Sequence, residues 1–294
     1  MKKIFYLAAA MSIAVFASCE KNGDNNGGNE PEAPKVTVAE DALVLHLTFE
    51  DGAVAVGEGV TFAAKEGKAA FVDGFIGKAY TNTSGDAKEA GYLKYNLAEA
   101  NCIKSLKSFT FAAWVKRPAL GSGAFFSVNG GEHDWGSTFH LMFDNTGVGE
   151  DGATYQQFNA RIDSYRVGED GAKFQGSMWP NVQGPEFAKV DEWFHVARTY
   201  DAATGAWGVY VDGVLTHDGV AMDGELPFGD LDFNSPTMTA LYIGGWAAII
   251  DGVNNQDWMT YFNGSIDEVR MYNRALTAEE LGQLWQQEKL INLE

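Results

Sequence analysis

From Leu43 onward the chain is written in short runs of apolar and alternating residues, each closed by Gly, Asn or Asp clusters. Leu43 to Phe49, Ser108 to Lys116, Phe125 to Asn129, Thr138 to Asp144, Phe158 to Asp163, Trp193 to Tyr200, Trp207 to Val211 and Ala240 to Gly244 are of this kind. Each has strand length and is rich in aromatic and β-branched side chains, so each predicts a β-strand. A helical period is almost absent. Asp212-Gly213, between Trp207-Gly-Val-Tyr-Val211 and Val214-Leu-Thr216, tolerates positive φ at both positions and predicts a tight hairpin. Thr277-Ala-Glu-Glu280 has the spacing of a capping box, and Leu276, Leu281, Leu284 and Trp285 give the helix it opens an apolar side. Many short strands, regular turns and one late helix predict an all-β, two-sheet antiparallel sandwich with one short C-terminal helix.

The start of the chain is patterned differently. Lys2 and Lys3 precede an apolar stretch from Ile4 to Phe16, which is shorter than the roughly 20 residues that span a bilayer. Residues 1–18 therefore predict a secretory signal peptide. Val15-Phe16-Ala17-Ser18 ahead of Cys19 resembles a bacterial lipobox, in which the cysteine is acylated and becomes the first mature residue. An ordinary cleavage site with an incidental cysteine is the alternative; the polar linker that begins directly after Cys19 favours lipidation. Several acyl chains on one residue would supply the multiple anchors that stable attachment needs. Glu20 to Pro34 has no large apolar residue to offset the entropy of ordering, so residues 19–35 read as the lipidated cysteine and a flexible tether. Glu20, in place of an aspartate after Cys19, points to the outer membrane, on either of its sides. Residues 36–294, about 260 in all, suit one large β domain.

Charge narrows the partners. The formal net charge is −19, and loss of Lys2 and Lys3 makes the mature chain more acidic still. Nucleic acid is excluded, and the membrane is expected as a partner only through the N-terminal lipid. With Cys19 lipidated, Cys102 has no disulfide partner and reads as a small buried hydrophobe.

Four blocks resemble, in order, the laminin-G-like family of the concanavalin A-like lectin/glucanase superfamily. They are Leu45-His-Leu-Thr-Phe-Glu-Asp51; Lys107-Ser-Phe-Thr-Phe-Ala-Ala-Trp-Val-Lys116; Glu192-Trp-Phe-His-Val-Ala-Arg-Thr-Tyr-Asp201 with Val209-Tyr-Val-Asp-Gly213; and Leu241-Tyr-Ile-Gly-Gly245 with Phe262 to Leu276. Together they span nearly the whole folded region. The resemblance implies a jelly-roll sandwich over residues 36–294 and a role in carbohydrate or protein binding, with glycosidases among the relatives. It also implies a structural Ca²⁺ where the opening strand meets the closing one, at Glu50, Asp51 and Asp267. Carboxylates are the ligands this hard ion takes. Pairing of Asp267 with Arg270, or capping of a turn, is the alternative.

Catalytic patterns are absent from the sequence. Glycosidases of this kind place two carboxylates across the scissile bond, commonly as Glu-x-Asp-x-Glu on one strand, and no such run occurs. The adjacent pairs Glu150-Asp151, Glu169-Asp170 and Asp191-Glu192 read as solvated turn acids. His46, His133, His140, His195 and His217 have no zinc-type spacing. The chain has eight Trp. Trp114, Trp193 and Trp207 lie in strand runs and read as packing residues. Trp135, Trp179, Trp246 and Trp258 lie in polar, Gly-, Asn- and Pro-rich segments beside amides and acids, the composition of a sugar platform on loops. A loop tryptophan that merely covers the sandwich end would carry the same signature. The expectation is thus a non-catalytic glycan-binding lipoprotein of the cell envelope. A protein-interaction or adhesion module with a cell-surface partner is the alternative, and a glycoside hydrolase with unrecognised acids is a further one.

Overall fold

A computed structural model describes residues 35–53, 55–130, 137–167, 173–178, 181–223 and 226–293. In chain order its strands are β1 (Leu43–Leu47), β2 (Ala55–Gly57), β3 (Val60–Gly67), β4 (Ala69–Asp73), β5 (Lys78–Asn82), β6 (Gly91–Leu97), β7 (Phe109–Lys116), β8 (Gly123–Asn129), β9 (Ser137–Val148) and β10 (Thr154–Val167). They continue with β11 (Lys173–Met178), β12 (Asn181–Gly184), β13 (Phe194–Tyr200), β14 (Ala206–Val211), β15 (Val214–Val220), β16 (Met222–Asp223), β17 (Leu226–Pro227), β18 (Ala240–Ile243) and β19 (Ser265–Tyr272). Helices α1 (Glu50–Ala53) and α2 (Ala247–Ile250) are single turns, and α3 (Ala278–Asn292) is the long one.

The first sheet runs β15-β14-β13-β7-β19-β1-β2, with β5 joined to β19 and β4 to β5. The second runs β11-β10-β9-β8-β18-β6-β3, with β12 on β10. Strand pairing within both is antiparallel. The predicted all-β two-sheet sandwich with one C-terminal helix is the observed architecture. Its core interleaves alternate residues of the two inner faces: Phe111, Ala113 and Val115 of β7 and Val196 of β13 meet Phe139, Leu141 and Phe143 of β9 and Phe158 of β10. Cys102 is a free, buried thiol in the same core.

Local chemistry explains the ends of elements. Asp212 and Gly213 have φ of 50° and 76°, the left-handed pair that closes the β14–β15 hairpin. The Thr277 hydroxyl accepts from Glu280 N–H and the Glu280 carboxylate accepts from Thr277 N–H, completing the capping box of α3. Leu281 and Leu284 then bury that helix against Ala112, Ala197 and Tyr272 on the outer face of the first sheet. None of the helices among the described residues is long and apolar enough to cross a membrane.

Candidate functional site

On the second sheet, Phe139, Leu141 and Phe143 of β9 and Phe158, Ala160 and Ile162 of β10 point into the core. The period of two therefore sends His140, Met142 and Asp144, with Asn159 and Arg161, to the outer face. Register sets Arg161 opposite His140 and Asn159 opposite Met142. Over them folds the segment after β18. Ser127 Oγ donates to the Gly245 carbonyl and accepts from Ala247 N–H, at 2.7 and 3.0 Å. Asp251 accepts from Tyr242 Oη at 2.5 Å and from Asn129 Nδ2 at 2.9 Å, so the turn of α2 is held to the sheet at both ends. Lys88 Nζ donates to the Asp257 carbonyl beside Trp258.

This anchoring separates the two tryptophans. Trp246 is 2 % exposed and packs with Ala124, Met142, Ala248 and Met259. Its ring lies 4.9 Å from the His140 imidazole. Trp258 stands edge-on to it, with centroids 5.5 Å apart and planes at 65°, and is 44 % exposed. Of the sugar-platform candidates, these two are brought together, with one as support and the other as outer surface. Trp135 and Trp179 lie outside the described residues, as does Cys19.

Beneath the pair is a cavity of about 30 Å³ lined by His140, Met142, Asp144, Asn159, Arg161 and the two indoles. That is room for a single hydroxyl or water. Burial, with Arg161 adding to it, pushes the His140 imidazole down to about 3, so the ring is neutral. Its Nδ1 and the Asn159 Oδ1 are buried without a hydrogen-bond partner. Orphaned polar atoms cost about 1–3 kcal/mol each, so a cavity lined by two of them favours a polar occupant. Burial raises the Asp144 carboxyl above its ordinary value, against a weak bond from Ser122 Oγ at 3.4 Å. Among the described residues, Asp144 is the one carboxylate in this lining. His140, Asn159 and Arg161 are not among the sugar-site residues that the sequence predicts; their only signal is the alternation along β9 and β10.

The metal candidates meet at a different place. The loop Asp73 to Lys78 joins β4 to β5 and is gripped from two sides. Asp267, fully buried on β19, accepts from Ile76 N–H at 2.9 Å through Oδ2 and from Glu268 N–H at 2.8 Å through Oδ1. Glu50 Oε1 accepts from Lys78 N–H at 2.5 Å. A Cβ at Gly74 would lie 2.5 Å from Asp267 Oδ2, and one at Gly77 2.1 Å from Glu50 Oε1, so glycine is required for both approaches. The side chain of Asp51 lies outside the described residues. Asp267 does not pair with Arg270; no basic side chain among the described residues neutralises it, and burial pushes it up to about 8. A buried carboxylate without a counter-ion, beside a second acid on one loop, fits a hard cation in kind. No group of three acidic, His or Cys side chains converges among the described residues, so carbonyls or water would complete the roughly six to eight oxygens of Ca²⁺.

A laminin G family model, described as the concanavalin A-like lectin/glucanases superfamily, matches residues 89–282, so the chain belongs to that family. A search of curated proteins gave no match. Among solved structures, the receptor-binding domain of botulinum neurotoxin mosaic serotype C/D is similar at a TM-score of 0.54 and 13 % identity, over 84 % of this chain and 51 % of that one. The binding domain of botulinum neurotoxin DC, solved in complex with rat synaptotagmin II, gives 0.50 and 13 %, over 84 % and 52 %. The chain thus spans about half the length of these neurotoxin domains. Domain 4 of AbnA, a GH43 extracellular arabinanase from Geobacillus stearothermophilus solved with arabinotriose, gives 0.45 and 20 %, over 83 % and 100 %. At these identities the likeness is one of fold.

Proposed function

We propose that this chain is the glycan-binding part of a cell-envelope lipoprotein, anchored through Cys19 to the outer membrane, and that it holds sugar without cleaving it. The observation that carries this reading is an exposed indole, Trp258, braced on a buried one over unpartnered His140 Nδ1 and Asn159 Oδ1. A pyranose ring laid on Trp258 has its apolar C–H face covered, while one hydroxyl enters the cavity. There it donates to Asn159 Oδ1 or the imidazole and comes within reach of Arg161. Retardation in gels cast with plant, algal or host polysaccharides tests this. Trp258→Ala and Asn159→Ala are each expected to weaken the retardation of the parent protein, and unchanged mobility in both would overturn the assignment.

Two parts of the reading have their own checks. Cys19→Ala is expected to move the protein from the membrane to the soluble fraction and to remove labelling by a fatty-acid analogue. Ca²⁺ held by Asp267 and Glu50 would raise the melting temperature reversibly with EGTA, and Asp267→Asn would erase that response.

A protein partner is the second reading. The observation that favours it is the edge strand β15, where Val214, Leu215 and Val220 are exposed.

A further inference from the structure

The other outer face of the sandwich carries a groove. Register sets Thr81 of β5 against Ser265 of β19, and Ser265 against Lys116 of β7. Their chain neighbours Tyr80, Ile266 and Val115 are in the core, so these three face outward in one row. Phe194 pairs with Val115, which places Trp193 next in the row after Lys116. Three steps of about 4.8 Å between strands give the row a length of about 14 Å. The row floors an open groove of about 370 Å³, with Asp73 and Asn263 in its walls, a volume in the range of small-ligand sites.

Its groups are oriented in advance. Ser265 Oγ donates to Thr81 Oγ1 at 2.9 Å, and Thr81 Oγ1 donates to the Gly264 carbonyl at 3.1 Å. Both hydroxyl protons are thereby committed, which leaves oxygen lone pairs to accept from a ligand. No carboxylate among the described residues pairs with Lys116, so its ammonium is available as a donor. Trp193 is half-buried, its ring edge set against Phe75 at 6.4 Å, and Phe75 stacks on Trp114 at 3.5 Å. An indole held by its inner edge keeps a fixed platform at one end of the row. The lining balances two cations, Lys116 and Arg117, against two acids, Asp73 and Asp191; Arg117 is already committed to the Lys189 and Phe187 carbonyls and Asp73 to Lys78, which argues against a polyanion. Hydroxyl acceptors, one flexible donor and an aromatic end-plate match a chain of neutral sugars.

We propose that the groove from Thr81 across Ser265 and Lys116 to Trp193 is a second carbohydrate site, for an extended neutral oligosaccharide, on the face opposite Trp258. It does not rest on the Trp258 reading. Calorimetry with xylohexaose, cellohexaose, laminarihexaose, mannohexaose and arabinohexaose tests it in the full chain. In a Trp258→Ala background, one equivalent of at least one hexasaccharide is expected to bind. Adding Trp193→Ala or Lys116→Met is expected to weaken that binding by about tenfold. Lys116→Met, half-buried on the surface, keeps the test informative should Trp193→Ala fold poorly. Loss of all binding in Trp258→Ala, affinity unchanged by both groove variants, or no binding of any hexasaccharide would overturn the groove. Binding that survives Trp258→Ala intact and is lost in Trp193→Ala would uphold the groove and overturn the Trp258 site.

Discussion

The two outer faces of the sandwich both bury charged and polar side chains under a covering segment, but they treat those groups in opposite ways. Under α3, Glu288 is fully buried yet accepts from Arg270 Nε at 2.8 Å and Trp114 Nε1 at 2.8 Å. Arg270 also donates to Glu268, which binds His46 Nε2 at 2.7 Å. Under α2, by contrast, His140 Nδ1 and Asn159 Oδ1 face a cavity with no partner. Satisfied buried charge makes a structural lock; the unpartnered atoms beside the exposed Trp258 leave hydrogen-bonding capacity unused. His195 and Tyr272 are exceptions on the α3 side: the His195 Nε2 lies 3.7 Å from Glu288, beyond hydrogen-bond range, and the Tyr272 hydroxyl is buried without a partner.

The sharpest break of this contrast is at the lock. Glu288→Ala leaves Arg270 short of one partner in a buried site and is expected to cost about 3–5 kcal/mol in urea unfolding. A cost below about 1 kcal/mol would show that α3 is a dispensable cover. Trp246→Ala should cost a similar amount, about 3–5 kcal/mol, because its indole fills a packed site.

The buried histidines come next. Burial pushes His195 down to about 4 and His140 to about 3, whereas an unfolded histidine protonates below about 6.5. As pH falls through the window from 6.5 to 4 the unfolded chain therefore binds more protons. Stability is lost by up to about 1.4 kcal/mol per pH unit for each histidine. Asp267, pushed by burial up to about 8, acts in the opposite sense. Folding favours its protonated form, so its contribution is present at low pH and lost as pH rises through that value. Melting curves of His195→Gln and His140→Gln, compared with the parent protein, isolate the histidine part. Each variant should lose less stability between pH 6.5 and 4.5, and curves parallel to the parent would refute it.

The smallest expected effect on stability is the most telling for function. Trp258→Ala should shift unfolding by about 1 kcal/mol or less, since the ring is 44 % exposed, while weakening glycan retention. A large loss of stability would instead make Trp258 a lid of the core.

Most of the fold was legible because its signals are local. Alternation marked the strands, Asp212-Gly213 the hairpin and Thr277 with Glu280 the helix start, each within a few residues. The sites were less so. A Gly-rich, polar segment around Trp246 suggested exposure, but one turn of α2 and the Ser127 hydroxyl fold that indole onto the sheet. Trp193 looked like strand packing, and its half-open position depends on Phe75, far away in the chain. Thr81, Ser265 and Lys116 acquire meaning only through the register of β5, β19 and β7, which a single sequence does not state. Glu50 and Asp267 were placed through the family resemblance, and each accepts a backbone N–H of the Asp73 to Lys78 loop.

The pairing of β1 with β19 sets an order of events for this chain. The first strand sits between β2 and the last strand, and β19 is also the link from β1 to β7. Until residues 265–272 are in place, β1 has only β2 to pair with, and the first sheet is split between β1 and β7. Contacts of such sequence separation close slowly. The first sheet is therefore complete only once residues 265–272 have joined it, so joining β1 to β7 waits on a segment more than 200 residues further along the chain.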